Sequence, residues 1–372
     1  MTVHNLRITF PALLAAALLV CCAPLSTAIA AEQPEWQAEH ERLVNSGLRF
    51  LQSKGQAEDG SFSGEAGPGI TALVVTAALR NGRAPEDPMV AKALAYLKKF
   101  VRDDGGLYAD DSLYKNYESS LGLMAFSEAN RDGRYDQLCQ RLTNYIKGIQ
   151  NDENEGLDAS DEAYGGAGYG KHKRPDLNNT GFLIEALKSA GTGPEDEAMR
   201  KALIFVSRCQ NLETEHNQTK WSAKNPDGSF YYTIAAGGSS QAGETAQGGL
   251  RGYGSMTYNG LKSMIYAGVA KDDKRVKAAF EWIQKNYGLD SNPGMGQQGL
   301  YYYYTTFAKA LDALDVDSVT TPDGKQHNWR ADLVAAVAER QRPDGSWLNE
   351  ADRWLEGDPN LVTGYVLLAQ IG

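Results

Sequence analysis

The chain has 372 residues, 42% of them hydrophobic and 23% charged, with 47 acidic against 37 basic side chains and a formal net charge of −10. That apolar share excludes a wholly disordered chain, and the acidic balance argues against nucleic acid or an anionic membrane as the main partner. Two excesses ask for a reason: 39 glycines, and 19 tyrosines against 10 phenylalanines.

The first segment reads as a leader rather than as part of the fold. Phe10–Ala23 is almost entirely apolar, Arg7 is the only full side-chain charge before Glu32, and Ala28-Ile29-Ala30 gives a small–x–small pattern. These features predict a signal peptide, residues 1–30, cleaved after Ala30, and hence an exported protein, periplasmic or extracellular. The apolar run is too short for a stable membrane span, which needs about 20 residues, and Pro24 breaks it. Cys21 and Cys22 leave with the leader, so the mature chain keeps Cys139 and Cys209. Both fall on apolar faces of predicted helices, as buried small hydrophobes do. Neither belongs to a Cys-x-x-Cys or Cys/His cluster, so no metal site is expected.

Beyond Glu32 a turn recurs: QAEDGSF (Gln56–Phe62), VRDDGGLY (Val101–Tyr108), KNPDGSF (Lys224–Phe230) and QRPDGSW (Gln341–Trp347), with weaker copies near Gly165–Tyr169 and Gly296–Tyr301. Asp-Gly suits a tight turn, because glycine accepts positive φ and Asp bonds the following amides. The aromatic that follows is placed to plug the space between helices. Each turn follows a segment with apolar residues at three- and four-residue spacing and charges between: Trp36–Gln52, Pro88–Phe100, Tyr135–Gln150, Glu195–Gln210, Lys274–Tyr287 and Asn328–Gln341. These are helices with one wet face. After each turn comes a second helix, poorer in charge: Ile70–Leu79, Tyr117–Ala129, Asn179–Ala190, Met256–Val269, Tyr302–Leu314 and Leu361–Ile371. Nearly all carry Thr or Ser in the first turn, as at Thr71, Ser119, Thr180, Thr257, Thr305 and Thr363. Low charge all round means burial on most sides.

Six wet-faced helices alternating with six buried ones predict an all-α fold, an α6/α6 toroid with an inner and an outer ring, filling residues 32–372 as a single domain. The first and last turns match each other well, which suits a closed ring better than a capped linear solenoid.

QRPDGSW and QAEDGSF resemble the Gln-x-x-x-Gly-x-Trp turn of squalene and oxidosqualene cyclases, and the chain is similar to the terpenoid cyclase/protein prenyltransferase superfamily over essentially all of residues 34–372. The resemblance implies a prenyltransferase/squalene oxidase repeat, squalene cyclase-like toroid as a single-domain exported member. It implies less about activity, because fold does not give function. The Asp-x-Asp-Asp acid of squalene–hopene-type cyclases has its nearest string in Asp315-Val316-Asp317-Ser318, which lacks the last Asp and lies after an inner helix. Gly288–Leu311 resembles the zinc-binding region of prenyltransferase β-subunits, but Tyr304 stands where the ligand His belongs. In GGLRGYGSMTY (Gly248–Tyr258), Tyr253 takes the place of that family's Arg. No cofactor is implied.

The loops leading into the inner helices converge on one rim of such a ring, where six helix N-termini offer free amides and positive potential. That rim is the expected ligand site. Tyrosines crowd it, and Tyr117, Tyr253, Tyr258, Tyr301 and Tyr304 are candidates to line a cavity, able to stabilise cations or to offer an apolar face with a polar tip. Lys171, His172, Lys173 and Arg174 form the only dense basic run, and Arg251 is a second cationic candidate; a phosphate or carboxylate would suit them. Glu118, with Asp161, Glu162 and Asp358, supplies possible acids or bases, none with diagnostic spacing.

The expected function is binding, with or without turnover, of a small hydrophobic isoprenoid-type ligand in a Tyr-lined central cavity, the anionic head of that ligand at the basic loop. Two further classes fit the same fold: a toroid polysaccharide lyase or glycan-binding protein, and a non-catalytic protein-interaction scaffold.

Overall fold

The computed structural model describes residues 1–2, 35–170 and 174–369. The expected leader and its cleavage point lie outside the described residues, as do Lys171, His172 and Lys173. Chain contacts divide the protein at Pro34, and all the helices below belong to the unit Glu35–Gly372.

Twelve α-helices alternate in character along the described chain. The wet-faced set is α1 (Glu35–Phe50), α3 (Pro88–Lys98), α5 (Asp136–Lys147), α7 (Glu197–Arg208), α9 (Lys274–Lys285) and α11 (Trp329–Glu339). The buried set is α2 (Pro68–Arg80), α4 (Lys115–Ala129), α6 (Leu177–Ser189), α8 (Gly254–Tyr266), α10 (Leu300–Leu314) and α12 (Pro359–Ala369). The periodicity located every one of them to within a few residues. Several of the wet-faced helices start at side-chain caps: Asp87, Asp196 and Asp273 accept from the amides of Met89, Ala198 and Arg275, and Asn328 from that of Ala331.

The buried helices pack in cyclic order. Helix α2 contacts α4, α4 contacts α6, and so on through α12, which returns to α2. Each wet-faced helix covers a buried neighbour, and α1 also packs on α11, joining the two ends of the sequence. One side-chain link across that seam is Arg42 donating to Gln341 at 2.9 Å.

The structure shows why glutamine and glycine recur in the turn. In the turn at Gly60, Gln56 Nε2 donates to the Gly60 carbonyl and to Met89 O in the first turn of α3. Gln150 does the same to Gly165 O and Ala198 O, and Gln210 to Gly228 O and Arg275 O. The glutamine therefore ties its own turn to the start of the next wet-faced helix. The glycine is required because it has positive φ and its Cα lies against that helix's backbone: a Cβ at Gly228 would overlap the carbonyl of Ala278.

After the turn a fully buried side chain enters the core, as Phe62, Leu107, Phe230 and Trp347 do. Burying each stabilises the fold by roughly 1.5–3 kcal/mol. Its backbone N–H is accepted by the first-turn hydroxyl of the following buried helix: Phe62 by Thr71, Leu107 by Ser119, Ala167 by Thr180, Phe230 by Thr257 and Trp347 by Thr363. The Thr and Ser residues singled out in the sequence thus satisfy buried amides. Thr305 differs, donating to the carbonyls of Tyr301 and Tyr365.

One element lies outside the all-α pattern. Ser318–Thr320 (β1) and Gln326–Asn328 (β2) pair antiparallel as a small hairpin before α11. Among the described residues no helix is long and apolar enough to cross a membrane.

Candidate functional site

Among the described residues, the candidate tyrosines at the N-terminal ends of the buried helices are mostly buried. Of the run Tyr301–Tyr304, only Tyr302 turns toward the middle, packing on Phe182 at 6.1 Å and Tyr365 at 5.7 Å between ring centres. Tyr303 and Tyr304 are fully buried and donate to the carbonyls of Gly288 and Leu289. Tyr301 meets Tyr304 edge-on, and Tyr258 packs between Tyr303 and Phe307. Tyr253 is buried at the residue preceding α8. Tyr117 sits edge-on to Phe182 at 4.9 Å, and burial pushes its phenol up to about 12. A run of four successive residues on a helix points in four directions, so most of these rings pack between helices.

The charged candidates at this rim are dispersed. Arg251 is exposed and donates to Glu244 O. Arg174 is exposed, its guanidinium 5.8 Å from the Tyr232 ring. Glu118 is 3% exposed in the first turn of α4, where its carboxylate accepts from the Ala109 amide. Burial raises its pKa to about 7, outweighing that hydrogen bond. Asp358 caps α12 through the amides of Asn360 and Leu361. None of these groups, and none of the candidate tyrosines, lines a cavity described below.

Open space lies at the other end. A cavity of about 440 Å³ is lined by Arg80, Glu128, Glu185, Lys188, Ser189, Tyr266, Lys309, Asp312, Leu367 and Leu368. These come from the last turns of α2, α4, α6, α8 and α12 and from the second half of α10, so all six buried helices enclose it. A second space of only about 10 Å³ continues inward, bounded by Leu73, Leu121, Phe182, Tyr302 and Tyr365. The two share Glu185, Lys309 and Leu368. A polar chamber therefore stands on an apolar, aromatic floor.

Between chamber and floor is a buried ion cluster. Glu185, 3% exposed, accepts from Lys262 Nζ at 2.8 Å and from Lys309 Nζ. Arg80 lies 3.5 Å from the same carboxylate and bonds Glu128 at 2.7 Å and Ser189 at 3.3 Å. Burial alone would raise the Glu185 pKa, but Lys262, Lys309 and Arg80 outweigh it and hold the carboxyl well below its ordinary range. Lys309 goes the other way: burial lowers it, Glu185 only partly restores it, and the neighbouring Arg80 and Lys262 push it further, to about 8. The sequence pattern did not single out these residues, because a Lys or Glu in a helix with few charges carries no motif. The available signal was charge inside helices otherwise read as buried on most sides.

No protein-family model matches the chain, and no curated protein matches it in sequence. Among solved structures, the type II terpene cyclase MstE from Scytonema superposes with a TM-score of 0.53 at 12% identity, covering 90% of this chain and 98% of that one. A variant of MstE in complex with geranylgeranyl dihydroxybenzoate, its substrate, gives 0.54 at 12% identity over 90% and 97%. The chain has a terpene cyclase-like, mostly helical fold. At that identity the likeness speaks for the fold alone.

Proposed function

We propose that the protein is an α6/α6 toroid that binds an isoprenoid-type amphiphile along its axis, the polar end in the charged chamber and the apolar end toward the aromatic floor. The observation that carries this reading is the shared wall of the two spaces, Glu185, Lys309 and Leu368, which joins a 440 Å³ polar chamber to Leu73, Leu121, Phe182, Tyr302 and Tyr365. The volume falls within the range of small-molecule sites. The cyclic packing of the buried helices supports the toroid, and the isoprenoid substrate bound by a cyclase of the same fold supports the ligand class. The proposal places the opening at the C-terminal ends of the inner helices, opposite the tyrosine-rich rim where the sequence pattern pointed. It also includes export after cleavage at Ala30.

The reading is one of binding. The nearest string to a cyclase acid, Asp315-Val316-Asp317-Ser318, leaves α10 into solvent, with Asp315 facing Lys271 and Asp317 facing Arg330. Nothing there reaches the floor where an alkene would lie.

Native mass spectrometry of the purified protein with geranylgeraniol tests the proposal. A one-to-one complex is expected, and Tyr302→Ala, which empties part of the floor, is expected to tighten it by allowing the chain deeper entry. No complex with either protein, or equal binding by a variant whose floor is filled (Leu121→Trp), overturns it.

A further inference from the structure

The chamber holds more positive charge than its own carboxylates neutralise. Arg80, Lys188, Lys262 and Lys309 face Glu128 and Glu185 across the chamber and its floor, while Asp312 is drawn to Arg330 at 3.2 Å. Four cations stand against two carboxylates. Part of this has an ordinary explanation: the cavity lies at six helix C-termini, each carrying roughly half a negative charge, and cations in the last turn complement that field. Arg80 and Lys188 are last-turn residues of α2 and α6. Lys262 and Lys309 are not. They sit four and five residues before the ends of α8 and α10, beyond the last turn where the field acts.

Their hydrogen bonding is also incomplete. An ammonium group has three donors, yet among the described residues each of these two has one hydrogen-bond acceptor, and it is the same Glu185 side chain. Both are nine-tenths or more buried, Lys262 at 3% and Lys309 at 6% exposure. A buried ammonium with one protein acceptor takes its remaining partners from the cavity, from water or from a ligand that displaces it, while Lys262 also lies 5.9 Å from the Tyr266 ring. Lys309 lines the open chamber as well as the floor, so its spare donors are within reach of a ligand there.

We infer that the chamber is an oxyanion site: Lys309, with Arg80 and Lys188 around the mouth, receives the carboxylate or phosphate head of the bound molecule, and Glu185 is the internal counter-ion that holds the lysines together when the site is empty. The ligand is then an acidic amphiphile. This rests on the chamber reading above, but one of its two probes, pyrophosphate, has no apolar tail. The depressed Lys309 pKa agrees with the arrangement, because a second anion relieves the crowding by Arg80 and Lys262.

Inorganic pyrophosphate and octanoate serve as probes, by isothermal titration and thermal unfolding at pH 7 and low salt. At least one is expected to bind and raise Tm. Lys188→Gln, at the exposed mouth, should weaken binding about threefold, and Lys309→Met tenfold or more. Glu185→Gln is the decisive variant. It keeps the side-chain shape but removes the competing anion, so the oxyanion should bind about tenfold tighter and restore more Tm than in the unmutated protein. A purely structural ion cluster predicts the reverse, a lower Tm in Glu185→Gln that no anion rescues. Failure of both probes, or binding unchanged by all three substitutions, overturns the inference. Preference for pyrophosphate or for octanoate assigns the head as phosphate or carboxylate. Anion binding without geranylgeraniol binding leaves this site standing and removes the isoprenoid tail. Geranylgeraniol binding without anion binding does the opposite.

Discussion

At their N-terminal ends the inner helices are met by glycine- and tyrosine-rich loops whose amides are taken up by Thr71, Ser119, Thr180, Thr257 and Thr363. At their C-terminal ends the same helices stop around a chamber of about 440 Å³ walled by Arg80, Lys188, Lys309, Glu128, Glu185 and Asp312. Helix polarity alone argues for an anion site at the first end. The difference teaches that polarity is only one term. At the first end, Thr and Ser hydroxyls take up the loop amides, and most of the candidate tyrosines among the described residues are buried between helices. At the second, short connections leave room, and cations placed deeper than the last turn offset much of the negative field of the helix C-termini.

Breaking the charged end should have the largest effect. Glu185→Leu leaves Lys262 and Lys309 buried without their carboxylate, and removing one partner of a buried ion cluster costs about 3–5 kcal/mol. Urea unfolding should show it as a lower midpoint with an unchanged slope; a loss below about 1 kcal/mol would mean that the lysines reach solvent.

Next comes the packed end. Thr257→Val keeps shape but orphans the buried Phe230 N–H, at an expected cost of about 1–3 kcal/mol. The neutral comparison is Thr306→Val, whose hydroxyl only donates back to the carbonyl of Tyr303 and should matter less.

The pH response separates the two ends further. The folded pKa of Glu118 is raised to about 7 and that of Asp176 to about 6, in each case mainly by burial. The folded state therefore binds more protons than the unfolded state between about pH 4 and 7. Their contribution to stability is present at the acid end of that window and is lost as pH rises through 7. Glu118→Gln should flatten the fall in Tm between pH 5 and 7.5, and an unchanged slope would remove Glu118 as its source. Lys309 acts in the alkaline window: with its folded pKa lowered to about 8, stability should rise as pH goes from 8 toward 10, until other groups titrate. In Lys309→Met that rise should be absent.

The smallest effect belongs to Arg251→Ala. Its guanidinium is exposed and bonds only a loop carbonyl, so Tm and anion binding should stay within error, about 0.5 kcal/mol or less. A clear loss of pyrophosphate binding would return the ligand site to the N-terminal rim.

Much of this architecture was legible in the sequence. Period and charge located the twelve helices, because one wet face and burial on most sides leave different residue patterns. The Asp-Gly turns were legible because their φ and their side-chain bonds are local, as Asp59 with Ser61 and Asp344 with Ser346 show. What only the tertiary structure decided was that a chamber forms at the C-terminal ends of the buried helices. That depends on how far Tyr302, Tyr365 and Phe182 reach across from three different helices, and on Glu185 meeting Lys262 and Lys309 over separations of 77 and 124 residues. A charge inside a buried helix has no neighbour in sequence to declare its partner. Tertiary packing supplies one, and with it the chamber at the C-terminal ends of the buried helices.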